Sequence, residues 1–426
     1  MIKSFIKFLL ILLFLNLFFI SVNLMGAFKG EAKAYIEIML SALQGNPFIG
    51  LMLGILATSI MQSSSATTSI VVSFVALGFF GANTEQALYG AIPVVMGANI
   101  GTSITSVLVA LGHIGDRQEF KRAFSAALVH DIFNLTTVAV LFPIQIYTNF
   151  LGKISMWLTS IFSKVGGMEF SGPLEIFVKP QTKFILKMFE SYDFLSRAVL
   201  FLVASFIFVV LLNIMIKESL TLNKRTKYFV LLNSLYLGGI VFLFSEYPQY
   251  VFTSSVSVFA LALTILFIAL GGFVNTMKSI TSNKMEIVFS RYIFKNAATA
   301  FIMGMIFTVI VQSSSVSISV MIPLAGAGIL NACQLFPYTM GANIGTTITS
   351  MLAALSIGEF SGVAIAFAHF SFNAIGIIFI FPIRHIPVKI AEFFAKISLK
   401  NISIPFLFIL FIYILLPLVG IILFRR

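Results

Sequence analysis

Residues 54–69 read GILATSIMQSSSATTS, and residues 304–319 read GMIFTVIVQSSSVSIS. Each lies in a long uncharged run: no acidic, basic or histidine side chain occurs between Glu37 and Glu85, nor between Lys295 and Glu359. A helix needs about 20 apolar residues to cross a hydrocarbon core of roughly 30 Å, so each run holds several segments at membrane depth. In the first run, the 33 residues from Phe48 to Phe80 enclose a polar knot of Gln62, Ser63, Ser64, Ser65, Thr67, Thr68 and Ser69. The half before it, Phe48 to Met61, would form a helix of about 21 Å, too short to cross. A re-entrant hairpin, two half-helices meeting at a serine-rich tip inside the membrane, meets both constraints. Residues 298–330 repeat the arrangement around Gln312, Ser313, Ser314 and Ser315.

Outward from these tips the whole neighbourhood is duplicated. GANIGTSITSVLVALG (97–112) and GANIGTTITSMLAALS (341–356) agree at twelve of sixteen positions. Further on, His130 and Asn134 match His369 and Asn373, and Phe142-Pro143 matches Phe381-Pro382. Three blocks in one order mean an ancestral unit copied twice. The expected fold is an all-α integral membrane protein with an inverted structural repeat, two re-entrant helical hairpins and broken helices. Its divisions are an N-terminal helix with an interfacial segment (1–46), repeat 1 (47–150), an interfacial segment with linking helices (151–295), repeat 2 (296–390), and a second interfacial segment with the C-terminal helix (391–426). Residues 194–216, 228–245 and 251–275 read as linking spans, and the last helix as about 403–424.

Composition agrees. The chain of 426 residues is 59% hydrophobic and 10% charged, where soluble domains carry about 25% charged residues. Its net charge of +12 is scattered through short loops. The densest cluster, Lys217, Lys224, Arg225 and Lys227, fits a cytoplasmic loop obeying the positive-inside rule better than a nucleic-acid surface. One cysteine, Cys333, leaves no internal disulfide framework. Lys3 and Lys7 precede an apolar stretch from Phe8 to Met25 without a clear cleavage site, which reads as a retained first helix starting inside. Counting spans from there returns the 217–227 loop to the inside but leaves Arg425 and Arg426 outside, against the same rule.

Irregular backbone survives at membrane depth only where protein or a watery cavity satisfies it, and interruptions paired between matching halves point to a transporter's binding site. Hydroxyls, amides and freed helix-end NH groups suit an oxyanion, and hydroxyls with carbonyls suit sodium. No Lys or Arg lies in either core, and two helix N-termini supply only about +1 against a dianion. Bound sodium ions would close that gap. In the GANIGT segments Gly97, Gly101, Gly341 and Gly345 would permit unwinding. Asn99, Thr102 and Thr105, with Asn343, Thr346 and Thr349, would then place oxygens at the break. Glycine-mediated helix packing is the plainer reading of those glycines, and hydroxyl contacts between packed helices is the plainer reading of the serines. Asp131 lies in an otherwise apolar span opposite Phe370, and an ionisable residue so placed is functional by default; the plainer reading is a carboxylate paired with His130. His130 and His369 read as histidines hydrogen-bonded between helices.

QSSS twice, GANIGT twice, and DRQEFKRAFSAALVHDIFN (116–134) resemble the type II sodium-phosphate cotransporters over about 47–143 and 297–390. The resemblance implies inorganic phosphate held between the tips, at Gln62, Ser63, Ser64, Ser65, Gln312, Ser313, Ser314 and Ser315, with Asn99 and Asn343 beside them. It also implies sodium near Gln312, Ser313, Thr346 and Thr349, and near Asp116, Asp131 and Asn134; the GANIGT hydroxyls of Thr102 and Thr105 join that set on their own chemistry. An aspartate at the Asp131 position accompanies electrogenic transport in the family. The chain ends without the PhoU-like domain some bacterial relatives append, and lacks the disulfide-bearing loop of vertebrate members.

The expectation is therefore a non-enzymatic sodium symporter of the cell (inner or plasma) membrane. Its partners would be phosphate, sodium and the bilayer, without nucleic acid or prosthetic group, and homodimerisation is left open. Another small oxyanion or a dicarboxylate is the alternative cargo. An intramembrane serine hydrolase, with a QSSS serine and His130 or His369, is a remote alternative because catalysis needs one asymmetric constellation; a channel would not accumulate solute.

Overall fold

The computed structural model describes residues 2–26, 46–81, 83–165, 172–191, 293–401 and 403–424, with isolated positions between 261 and 276. The expected spans 194–216 and 228–245, the basic loop 217–227 and most of 251–275 lie outside the described residues. In chain order the helices are α1 (Ile2–Gly26), α2 (Pro47–Met61), α3 (Ser64–Ala76), α4 (Thr84–Gly101), α5 (Ile104–Leu111), α6 (Arg117–Thr148), α7 (Phe150–Lys164) and α8 (Gly172–Ser191). The second copy supplies α9 (Ala297–Val311), α10 (Ser314–Gly326), α11 (Ala332–Ile357), α12 (Phe360–Ile380) and α13 (His385–Ser398), and the chain ends in α14 (Ser403–Phe424). Among the described residues there is no strand.

Among the described residues, six segments are long and apolar enough to cross a membrane: Ile6–Leu24, Thr84–Leu111, Arg117–Thr148, Ala332–Ile357, Phe360–Ile380 and Ser403–Phe424. Helix α14 leaves Phe406, Leu407, Ile422 and Leu423 more than half exposed, a continuous apolar face that water would penalise and lipid does not.

Two compact units divide the chain. One combines Met1–Ile36 with Gly172–Ile280; the other combines Glu37–Ser171 with Thr281–Arg426 and holds both copies of the duplication. In the first unit, the Asn16 amide of α1 donates to Gln181 Oε1 of α8 at 2.9 Å.

Local chemistry sets the same boundaries in each copy. Asn46 caps α2, its side chain accepting from the Phe48 amide, with Pro47 in the first turn where its missing donor costs nothing. Asn296 caps α9 with a reciprocal box to Thr299. Both helices stop at a glutamine in the left-handed region, Gln62 at φ 51° and Gln312 at φ 56°. The next residue, Ser63 or Ser313, is extended and caps α3 or α10 by accepting from the amide of Ala66 or Val316. QSSS is thus a helix stop followed at once by a helix start. Helices of 15 and 13 residues are about 22 and 20 Å long, and the Thr58 hydroxyl donating to Thr67 Oγ1 at 2.8 Å shows the chain doubling back.

The two copies interlock. Helix α2 lies along α4, and α9 along α11; α3 packs on α11 and α12 of the other copy, and α10 on α5 and α6. Phe133 of α6 meets Phe336 of α11 edge-on at 6.1 Å, both fully buried. Helix α14 closes over α2, where Phe424 stacks on Phe48 at 5.1 Å.

The unwinding expected at the GANIGT glycines is corrected. Helix α11 runs unbroken through Gly341 and Gly345, and in the first copy only Thr102 and Ser103 interrupt the helix, with near-helical dihedrals. A Cβ on Gly97 would collide with the Leu51 carbonyl oxygen, and one on Gly341 with the Phe301 carbonyl oxygen. Gly54 and Gly304 face back in the same way against Val94 and Tyr338. These glycines let two backbones touch, which is how helices associate where lipid removes the hydrophobic drive.

Candidate functional site

The two QSSS turns come from positions 250 residues apart and lie against each other. Ser64 Oγ shares a hydrogen bond of 3.0 Å with Thr102 Oγ1, which shares another of 2.9 Å with Ser315 Oγ. Ser65 Oγ donates to the Gln312 carbonyl at 3.0 Å, and Ser315 Oγ also reaches the Thr102 carbonyl at 3.2 Å. Ser64, Ser65, Ser314 and Ser315 are buried. The site is therefore the meeting of two helix N-termini. The caps at Ser63 and Ser313 occupy the third amide of each helix, so the amides of Ser64, Ser65, Ser314 and Ser315 have no intrahelical acceptor.

Around the tips runs a second ring of buried polar side chains. Gln312 Oε1 accepts from Thr349 Oγ1 at 2.7 Å. Asn343 Nδ2 donates to Asn134 Oδ1 at 2.9 Å, and Asn134 Nδ2 donates to the Asn99 carbonyl at 2.7 Å. The mirrored pair joins Asn373 Nδ2 to Asn99 Oδ1 at 3.3 Å. His130 Nε2 lies 2.8 Å from Asn343 Oδ1, and His369 Nδ1 lies 3.0 Å from Ser350 Oγ, which donates to Thr68 Oγ1. Each histidine thus bonds between helices, and neither bonds a QSSS hydroxyl. That geometry gives the serine-hydrolase alternative no nucleophile–base pair.

Asp131 is wholly buried. It is not paired with His130: the hydroxyls of Ser103 and Tyr413 both donate to its Oδ1, while Oδ2 is buried without a partner. Tyr413 stands in a single π turn, Phe411–Leu415, inside α14, the kind of local helix widening that recurs at functional sites.

Some expected residues sit elsewhere. Asp116 is fully exposed and caps α6; the amides of Glu119 and Gln118 hold its carboxyl below the usual carboxylate range, and it joins none of the buried bonds. Thr346 Oγ1 donates to the Ala342 carbonyl of its own helix. Thr105, the counterpart of Thr349, has a buried hydroxyl without a partner, and Gln62 is exposed where Gln312 is buried. At this pairing the two copies differ: the glutamine–threonine bond is made in the second copy and not in the first.

Ser103, Ser350, Asn373 and Tyr413 were not singled out from sequence as site residues. Ser103 aligns with Thr347 in the duplicated segment, and Tyr413 is the only hydroxyl between residues 404 and 424. Both signals were there.

A family model described as Na+/Pi-cotransporter matches residues 17–169 and 265–407, more than half the chain. The chain belongs to that family. This membership and the six long apolar helices make it a multi-pass membrane protein. Among curated relatives, it is 32% identical over 414 residues to the human "Sodium-dependent phosphate transport protein 2B", covering 89% of this chain and 59% of that one. It is 32% identical over 407 residues to the rat "Sodium-dependent phosphate transport protein 2A", covering 88% and 61%. The chain thus spans about three fifths of the length of these relatives. No solved structure matches it.

Proposed function

We propose that this member of the Na+/Pi-cotransporter family is a sodium-coupled symporter of inorganic phosphate in the cell (inner or plasma) membrane. It works by alternating access of two re-entrant hairpins in an inverted repeat and moves net positive charge inward. The observation that carries this reading is the junction of the two capped serine turns, Ser64–Thr102–Ser315 and Ser65 to the Gln312 carbonyl. Four free amides and several hydroxyls there are donors with no competing cation, suited to a tetrahedral oxyanion. Phosphate entering exchanges the hydroxyl bonds between the tips for bonds to its own oxygens.

The charge balance of this reading calls for bound cations, and sodium fits the oxygen ligands present. Two helix ends contribute about +1. A divalent phosphate and an ionised Asp131 bring −3, leaving −2 for cations to balance, and an uncompensated charge at that depth would cost several kcal/mol. One sodium ion takes Gln312 Oε1 with the oxygens of Ser313, Thr346 and Thr349. Another takes the unpartnered Asp131 Oδ2 with Asn134 and the hydroxyls of Thr102 or Thr105. Asp116, an exposed helix cap, is left out of the set. Net inward charge with divalent phosphate needs a third ion.

The unequal pairing supports alternation. Gln312 is folded onto Thr349 while Gln62 faces outward and Thr105 lacks a partner. In the opposite state Gln62 folds onto Thr105 and Gln312 releases.

The test is uptake of labelled phosphate by proteoliposomes of the purified chain, with external sodium replaced by choline. Uptake above the equilibrium level is expected only with sodium, and sulfate and dicarboxylates in excess should leave it unchanged. Equal uptake in choline would overturn the proposal; block by a dicarboxylate would reassign the cargo.

A further inference from the structure

Away from the serine turns, a cavity of about 590 Å³ opens between the start of α6, the segment before α11 and helix α13. Four cationic side chains line it, Lys121, Arg122, Lys389 and Lys396, against one carboxylate, Glu392. Among the described residues none of the five forms an ion pair within 4.0 Å. Four cations against one carboxylate leave the lining of this concavity positive, so the arrangement favours an anion there.

Two further features show a built site. Arg122 is anchored: its Nε donates to the Gly326 carbonyl at 2.7 Å, which leaves the outer edge of the guanidinium to the cavity. Ser125, one turn along α6, also lines it, and its hydroxyl is buried without a partner at 5% exposure. A buried unbonded hydroxyl is costly unless a ligand completes it. A planar guanidinium, a recessed hydroxyl and flanking ammonium groups match a phosphate group, whose oxygens take several charge-assisted bonds at once.

We propose that this cavity is a second anion site, distinct from the serine turns, that holds a phosphate group presented either by an anionic lipid headgroup or by free inorganic phosphate. Arg122 fastens it to the last turn of α10, the helix that begins at Ser314. The two ends of α10, a helix of 13 residues, are about 18 Å distant, so an anion here bears on the hairpin without entering its tip. The volume accommodates a headgroup, and the exposed ring of Phe393 at its edge offers an acyl chain a surface.

Thermal unfolding of the full-length protein in neutral detergent distinguishes the two sources. Dioctanoyl phosphatidic acid, dioctanoyl phosphatidylcholine and inorganic phosphate are titrated separately in choline chloride, so that no sodium loads the transport site. Wild type is expected to be stabilised by phosphatidic acid or by phosphate, and not by phosphatidylcholine. Lys389 and Lys396 are exposed, so Lys389→Gln with Lys396→Gln should fold normally and bind roughly thirty-fold more weakly, at about fivefold per lysine. Ser125→Ala should weaken binding too, since it removes the one buried donor. Gln312→Ala should bind as wild type does. Stabilisation by neither anion, or equal stabilisation of the double variant, would overturn the proposal without touching the transport reading, which is measured with sodium.

Discussion

Replacing Thr349 by valine keeps the shape of the side chain and removes one hydroxyl. That hydroxyl donates to Gln312 Oε1 at 2.7 Å, inside a pocket where Gln312 is 9% exposed. The variant therefore strands a buried amide oxygen, at a cost of about 1–3 kcal/mol, a factor of roughly 5 to 150 in any equilibrium that depends on this bond. The matching change, Thr105→Val, strands nothing, because the Thr105 hydroxyl has no partner in this arrangement. Two assays separate the positions. In choline, thermal unfolding should show Thr349→Val destabilised and Thr105→Val within about 0.5 kcal/mol of wild type, as for a substitution that breaks no interaction. In proteoliposomes, Thr349→Val should raise the sodium concentration for half-maximal phosphate uptake by at least fivefold, whereas phosphate affinity at saturating sodium changes little. Thr105→Val should slow turnover, since its bond forms only in the opposite state. Equal stabilities for the two variants, or an unchanged sodium dependence for Thr349→Val, would refute both the ion site at Gln312 and the alternation of the pairs.

Asp131→Asn should remove one translocated charge per phosphate, which at 100 mV corresponds to about 2.3 kcal/mol, or near fifty-fold less accumulation; current and tracer flux recorded together give the ratio, and an unaltered ratio rules out the sodium role. Tyr413→Phe takes one of two donors from the Asp131 carboxylate, so the unfolding midpoint should fall in choline and recover on adding sodium by more than in wild type; identical shifts in the two salts would make Tyr413 a packing residue only. Gly341→Ala drives a methyl group into the Phe301 carbonyl and should cost about 1–3 kcal/mol, read as a lower unfolding midpoint. Gly115→Ala, with nothing within 4 Å of its new carbon, should be neutral, and equal behaviour would mean α9 and α11 do not touch as described.

Much of this molecule was readable because the duplication allows each half to vouch for the other. A single QSSS says little; two, each after a 15-residue apolar helix opened by an asparagine cap, point to a turn at the glutamine and a new helix capped by the first serine. What misled the reading was glycine. Gly97 and Gly341 are equally consistent with unwinding and with close helix approach, and only the position of the Leu51 and Phe301 carbonyls decides between them. Those contacts join segments more than 35 residues apart, so no local pattern carries them. The partners of Asp131 were hidden for the same reason, since Tyr413 reaches it from 282 residues away. Asp116 is ambiguous in the other direction: its motif is distinctive, but an aspartate just before an acidic first turn also has a local role as a helix cap.

Asp131 has no counterpart in the second copy, and the proposed coupling gives that asymmetry a physical reason. An exact repeat would place a carboxylate on both α6 and α12, but the second copy has Phe370, which is 39% exposed rather than buried. Two buried carboxylates near one oxyanion would add a further negative charge to a site whose only fixed compensation is two helix ends. Under the proposed coupling, one carboxylate would be enough to hold one additional cation, and its position would decide which half carries it. The hydroxyls of Ser103 and Tyr413 both sit on the same oxygen. Had they been shared between the two oxygens, the carboxylate would be satisfied internally and indifferent to sodium. Placed as they are, they orient Asp131 and leave Oδ2 with no protein donor, an oxygen that a small cation can complete. The π turn that delivers Tyr413 belongs to α14, outside both copies, so one of the two donors that orient Asp131 comes from a helix that the duplication did not provide.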